Sequence, residues 1–352
     1  MQNSTPAKIL MAGACLLFSL SSASFAEVKL QGSGATFPAP LYAKWFKDFS
    51  AKHSDIRVDY QPKGSGGGIQ DFTNEVVDFA GSDAAMNDQE IAKVKHGVVL
   101  LPVTAGEVVL TYNLDGVKEL KLPRDVYPEI FDGKITKWND PKIAKANPGV
   151  GLPDKDITVV VRSDSSGTSF IYSGHLSAIS KEFADSVGHA KSPAWPKTGH
   201  FVKAPGNQGV TATVKQTPGA IGYIEYGYAK FVGVPTAALE NKAGKFVAPG
   251  PEGGAATLAS VHFPKANLPG SDVPDLRGWV TDPDGEGSYP IASFTWMLFP
   301  EKMSAEKREA ALKLVKYCVT EGQKSSDSLG YIPLPKSVVE TDLKVAQKIQ
   351  GM

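Results

Sequence analysis

Three short loops rich in glycine, serine and threonine constrain this chain more than any other feature. They are Gly32-Ser33-Gly34-Ala35-Thr36-Phe37, Gly64-Ser65-Gly66-Gly67-Gly68 and Asp164-Ser165-Ser166-Gly167-Thr168. Each follows a predicted strand and precedes a predicted helix. Short β-rich runs at Val28–Gln31 and Arg57–Gln61 alternate with helical patterns at Ala39–Lys52 and from about Gly68 onward, a βαβα rhythm that implies α/β layers. In a doubly wound fold such loops gather at the carboxyl ends of the strands, so loops far apart in sequence converge. The first N–H groups of a helix lack intrahelical partners and sit at the positive end of its dipole, and glycine lets a ligand approach the backbone closely. Any one of these loops is equally what ordinary helix capping produces. Three in series point to one small anion held by several loops.

The strongly apolar runs Val108–Asn113 and Ile291–Phe299 read as strands, yet about 180 residues with strands and helices of their own lie between them. Two interleaved α/β domains account for this. The chain leaves the first near Asn113, builds the second and returns near Tyr289, so two crossing segments form a hinge. Residues 27–113 and 289–352 then make one lobe and 114–288 the other; one large sheet is the alternative. The helical pattern from Ala305 to Thr320 puts Ala310, Leu314, Tyr317 and Cys318 on one face, for packing.

Charge narrows the choice of partner. The 37 basic and 37 acidic residues cancel, so no broad cationic field exists to gather nucleic acid, and any bound anion is bound locally. The amino terminus reads as an export signal: Lys8, an apolar stretch from Ile9 to Leu20, and small residues ending at Ala26, where cleavage is expected. A membrane anchor is disfavoured because the stretch is shorter than the roughly 20 residues a spanning helix needs. Cys15 falls inside the signal, and the apolar run continues past it, unlike a lipoprotein site. The exported chain keeps only Cys318 and forms no internal disulfide.

Nucleotide and catalytic signatures are missing. G-x-G-x-x-G fails at Phe37, and there is no G-x-x-x-x-G-K-[ST], G-x-S-x-G, H-E-x-x-H or paired-cysteine motif. The six histidines are scattered, and any one of them reads as a surface residue.

The runs GSGATFPAPLYAKW (32–45), GSGGGIQDF (64–72), VDFAGSDAAM (77–86), GKITKWNDPKIAKANPG (133–149), VVRSDSSGTSF (160–170) and TPGAIGYIEYGYAK (217–230) together resemble the PstS family, the periplasmic phosphate-binding proteins of the high-affinity phosphate ABC importer. The resemblance spans most of the mature chain, with the loops in the same order. It implies an α/β, two-lobed periplasmic-binding-protein fold of the type II kind. It further implies a periplasmic monomer without cofactor or metal, which closes on inorganic phosphate and delivers it to membrane permease subunits.

The resemblance also implies the site. Thr36 and Phe37 match donors of the first loop through backbone N–H groups and the threonine hydroxyl, the Phe37 ring being core. Ser65 matches the second-loop donor, whereas Gly66 stands where some members carry a second serine. Asp83 matches an acceptor carboxylate, Arg162 a charged donor able to make a two-pronged contact, and Asp164 the group that holds Arg162. Ser166, Gly167 and Thr168 match donors at the start of a helix. Donors alone would hold any tetrahedral oxyanion. Asp83 adds selectivity, since hydrogen phosphate has a proton to donate to it and sulfate has none. Two other readings stay open: a secreted phosphatase or phosphotransferase using the same donors, for which no nucleophile with a base is evident, and a binder of another oxyanion such as sulfate or molybdate.

Overall fold

The computed structural model describes residues 27–352. The expected signal peptide and Cys15 lie outside the described residues. Among those described, no helix is long and apolar enough to cross a membrane, and no group of His, Cys, Asp and Glu has the arrangement of a metal site.

Eight strands form the main sheet: β1 (Val28–Gly34), β2 (Ile56–Pro62), β3 (Phe79–Ser82), β4 (Val99–Tyr112), β5 (Thr158–Arg162), β6 (Phe201–Ala204), β7 (Ala220–Glu225) and β8 (Ala292–Phe299). Their order is β2-β1-β3-β8-β4-β7-β5-β6. The helices packed against this sheet include α1 (Ala39–Lys52), α2 (Ser65–Thr73), α3 (Gly167–Ile179), α4 (Gly206–Gln216), α5 (Ala305–Val319) and α6 (Lys336–Val345).

The longest strand organises the rest. β4 is buried along its whole length, as its near-continuous apolar run requires of a strand covered on both faces. Its first part, Val99–Glu107, pairs with β8, and its last part, Val108–Tyr112, pairs with β7. The two halves of the molecule therefore share one continuous sheet through β4. Strands β1, β2 and β3 are mutually parallel, as are β5, β6 and β7. The two sets run in opposite directions, because β8 is antiparallel to β3 and to β4, and β7 is antiparallel to β4. Glu225, at the carboxyl end of β7, lies opposite Val108, while Ser82, at the end of β3, is joined through Trp296 to the level of Pro102. The carboxyl ends of both sets thus meet near the middle of β4, where the strand direction reverses, the place ligands occupy in such sheets.

Pro102 has no N–H for the ladder, and the register between β4 and β8 shifts beside it: Thr295 pairs with Thr104 but Trp296 pairs with Pro102. Proline inside a sheet is tolerated at such bulges, which also re-aim neighbouring side chains. The core packs on both sides. α1 buries Leu41, Tyr42, Trp45, Phe46 and Phe49, residues at helical spacing, and Trp45 donates to the Gly322 carbonyl at 2.7 Å. The expected face of α5 is buried, including Ala310, Leu314, Tyr317 and Cys318. One expectation is corrected: His175 is buried, accepting or donating at 2.8 Å with the Tyr127 hydroxyl and at 2.6 Å with the Thr281 carbonyl. Burial pushes its pKa down to about 4, so it is a neutral tie between α3 and the 276–290 segment.

Candidate anion-binding site

The loop after β1 folds tightly because of Gly34. Its φ of +135° suits glycine, and a Cβ there would lie 2.1 Å from the Gly81 carbonyl oxygen. The Gly34 carbonyl accepts from both Lys63 and Gly64 N–H at 2.8 Å, tying the first loop to the second. Tyr228 donates to the Thr36 carbonyl at 2.5 Å and Tyr331 to the Phe37 carbonyl at 2.7 Å. The Phe37 ring is core, fully buried.

The loops of the two halves touch one another. Gly66 N–H donates to the Ser165 carbonyl at 2.9 Å, and a Cβ at Gly66 would sit 2.1 Å from Ser165 Oγ. Gly167 is equally tight, since a Cβ there would stand 2.3 Å from Ser65 Oγ and 2.6 Å from Asp83 Oδ2. Thr36, Ser65, Asp83, Arg162, Ser166 and Thr168 are all buried. They come together although they lie on four separate segments of the chain.

The hydrogen-bond accounting shows a place built of donors. Among the described residues, the backbone N–H groups of Thr36, Phe37, Ser65, Gly167 and Thr168 have no acceptor. Ser166 does what ordinary capping predicts, its Oγ accepting from Ser169 N–H at 3.0 Å, and that leaves its own proton free. Arg162 sends Nε and Nη2 to the two oxygens of Asp164, at 2.8 and 2.5 Å, and Nη1 to Thr168 Oγ1 at 3.1 Å. One proton on each terminal nitrogen remains for a two-pronged contact. Asp164 also accepts from Gly206 N–H at 3.0 Å. Burial pushes its carboxyl up, but Arg162 outweighs that and holds it below the usual range.

Asp83 is the acceptor in this setting. Burial raises its pKa to about 7, opposed by a 2.7 Å hydrogen bond from Thr295 Oγ1, the Arg162 charge and Ser65. Asp83 N–H donates to Ser65 Oγ at 3.1 Å, and Ser65 Oγ lies 3.4 Å from Asp83 Oδ2. One carboxylate oxygen is therefore firmly occupied and the other only weakly so.

Two residues here escaped the sequence reading. Thr295 reaches Asp83 from β8, the strand paired with β3. Asn207, fully buried at the start of α4, contacts Thr36 and Thr168 together. A signal for Asn207 existed: Pro205-Gly206-Asn207 is a fourth glycine-bearing junction between a strand and a helix.

Residues 21–321 match the model of the PBP superfamily domain. The phosphate-binding protein PstS of Xylella fastidiosa is 38% identical over 317 residues, covering 89% of this chain and 84% of that protein. That of Methanocaldococcus jannaschii is also 38% identical, over 339 residues, covering 91% and 86%. Among solved structures, a high-affinity periplasmic phosphate-binding protein bound with phosphate superposes with a TM-score of 0.73 at 22% identity, covering 89% of this chain and 92% of that one. A phosphate-binding protein from Stenotrophomonas maltophilia gives 0.69 at 21% identity, covering 90% and 94%. These two share the fold.

Proposed function

Since the chain belongs to the PstS family of phosphate-binding proteins, we propose that it captures inorganic phosphate outside the cytoplasm and delivers it to the permease subunits of an ABC importer. The observation that carries this reading is the composition of the site: N–H groups without an acceptor among the described residues, hydroxyls and the Arg162 guanidinium converge beside the buried carboxylate of Asp83. Thr36, Phe37, Ser65, Arg162, Ser166, Gly167 and Thr168 donate to phosphate oxygens, Asp83 accepts the phosphate proton, and Asp164 aligns Arg162. A donor-rich, desolvated pocket favours an anion because each charge-assisted hydrogen bond is strong there. The single acceptor favours an anion that still bears hydrogen.

The lobes divide as 27–113 with 289–352 and 114–288, and phosphate bridges them. Contacts from both lobes favour the closed state over the open one. The chain acts as a periplasmic monomer after cleavage at Ala26, and the role is binding without turnover, in keeping with relatives named as binding proteins. Calorimetric titration of ligand-stripped protein with inorganic phosphate tests the reading. Saturable one-to-one binding is expected, weakened in Arg162→Ala by about 2 kcal/mol or more. Absence of binding in the unaltered protein would refute it, and unchanged affinity in the variant would remove Arg162 from the site.

A further inference from the structure

This inference rests on the phosphate reading. A hydroxyl oxygen has two lone pairs and one proton, so a threonine whose lone pairs are both engaged can only donate. The orientation of the Asn207 amide is settled by its oxygen, which accepts from Glu225 N–H at 2.9 Å. Its NH2 group therefore faces the crevice. One proton goes to Thr36 Oγ1 at 2.9 Å and the other to Thr168 Oγ1 at 3.1 Å. Asn207 N–H, unpaired within α4, also donates to Thr36 Oγ1, at 3.1 Å. Thr168 Oγ1 receives its second hydrogen bond from Arg162 Nη1. Both hydroxyl oxygens are thus filled as acceptors, and among the described residues neither hydroxyl proton has an acceptor.

We propose that Asn207 is a positioning residue that makes Thr36 and Thr168 obligate donors, so that the anion meets aligned protons from both lobes and finds Asp83 as its acceptor. A mere tether between the lobes would need only one of these bonds and would not depend on which group donates. In Asn207→Asp the carboxylate has no proton to give. It accepts from the threonines, turns their protons away from the crevice and sets a negative charge beside the guest. In Asn207→Ala each hydroxyl keeps one donor, the residue 207 N–H for Thr36 and Arg162 Nη1 for Thr168, and regains one open lone pair, so neither is an obligate donor to the anion.

The test is calorimetric titration with inorganic phosphate of the unaltered protein, Asn207→Ala, Asn207→Asp, Thr168→Val and the Asn207→Ala/Thr168→Val double variant, with a thermal melt of each ligand-free form. The charged and titratable groups joined to the Asn207 network are Glu225, whose N–H donates to Asn207, Asp164, which accepts from Gly206, Arg162, which donates to Thr168, Tyr228, which donates to the Thr36 carbonyl, and Asp83, which stands against Gly167 beside Thr168. These are common to all forms, so affinities are compared with the unaltered protein at each pH. Asn207→Ala is expected to bind about tenfold more weakly, and Asn207→Asp about a hundredfold more weakly near pH 8. The second gap narrows at least about tenfold near pH 5 as the introduced carboxyl gains a proton and can donate. Thr168→Val costs less affinity in the Asn207→Ala background than alone. Equal affinity of Asn207→Asp and the unaltered protein, a gap that ignores pH, or simple addition of the Asn207→Ala and Thr168→Val losses would overturn the proposal. If Asn207→Asp does not fold, the double-variant comparison decides. Failure of the unaltered protein to bind phosphate would instead sink the functional reading.

Discussion

Asp83 and Thr295, 212 positions apart in the chain, are joined by a 2.7 Å hydrogen bond from Thr295 Oγ1 to Asp83 Oδ1. The bond occupies one carboxylate oxygen, leaves Oδ2 to face the loops, and favours the ionised form against the burial that raises it. Thr295→Val keeps the shape and removes the donor. The carboxyl should then hold its proton to higher pH and reject sulfate less well. The phosphate-to-sulfate affinity ratio at neutral pH is expected to fall by about 1 kcal/mol, or roughly five- to tenfold, by competition calorimetry. An unchanged ratio would remove Thr295 from the selectivity device.

Gly167 has room for hydrogen alone. In Gly167→Ala the methyl group meets Ser65 Oγ and the Asp83 side chain from the opposite half of the site, so the loops must separate. Phosphate affinity should fall by about 1 to 3 kcal/mol. The ligand-free melting temperature should hold or rise slightly, since alanine is the better helix former. A variant that binds as tightly as the unaltered protein would show that the loops need not approach so closely.

Buried acids give the ligand-free protein a characteristic pH response. Burial raises Asp83 to about 7 and Glu107 to about 8. It also pushes Glu225 and Asp342 well above their ordinary values. Each of these groups is protonated in the folded chain over a range where the unfolded chain has already released its proton, so stability falls as pH rises from about 4 to about 8. Asp164, held low, acts oppositely in more acid solution, and the buried His175, lowered to about 4, with His189, lowered as well, opposes the decline below about pH 6.5; the four raised acids outnumber them and set the net direction. The melting temperature of ligand-free protein should therefore be higher near pH 5 than near pH 8. Glu107→Gln should flatten the decline, because the amide does not titrate and so removes the contribution of a carboxyl that burial raises to about 8. A melting temperature that rises across this window would contradict the assignment.

Glu90 and Lys191 form an ion pair linking the two halves near the site, each about one-fifth exposed. The Lys191 carbonyl also accepts from Ser166 N–H at 2.8 Å. Glu90→Gln should weaken phosphate binding by about 0.5 to 1 kcal/mol, with less difference from the unaltered protein at high salt. A loss that is independent of salt would mean that Glu90 acts through packing.

Much of the site was legible because its parts are local. The loops at 32–37, 64–68 and 164–168 each carry their own glycine, hydroxyl and strand-to-helix junction, and the fold brings them together at the carboxyl ends of the strands. Arg162 and Asp164 are two residues apart and pair as expected. Thr295 carried no local signal, and the glycine-bearing junction at Pro205-Gly206-Asn207 marks a place at a helix start without showing that Asn207 reaches the other loops. Their roles depend on which strand lies beside which: β8 enters next to β3 only after the second half of the fold is built, and Asn207 reaches Thr36 only because the two sets of strand ends face each other across β4. The same holds for His175, whose partners Tyr127 and Thr281 lie far from it in sequence.

The most direct test of the account is sulfate titration of ligand-free protein near pH 8 and near pH 5, alongside phosphate, for the unaltered chain and Asp83→Asn. With the Asp83 pKa at about 7 in the ligand-free protein, its carboxylate should exclude sulfate in the alkaline arm. Its protonated form should admit sulfate more readily in the acid arm. The account predicts a phosphate-to-sulfate ratio that is large near pH 8, smaller near pH 5, and small at both in Asp83→Asn. Equal sulfate affinity at the two pH values in the unaltered protein, with the same ratio in the variant, would contradict it.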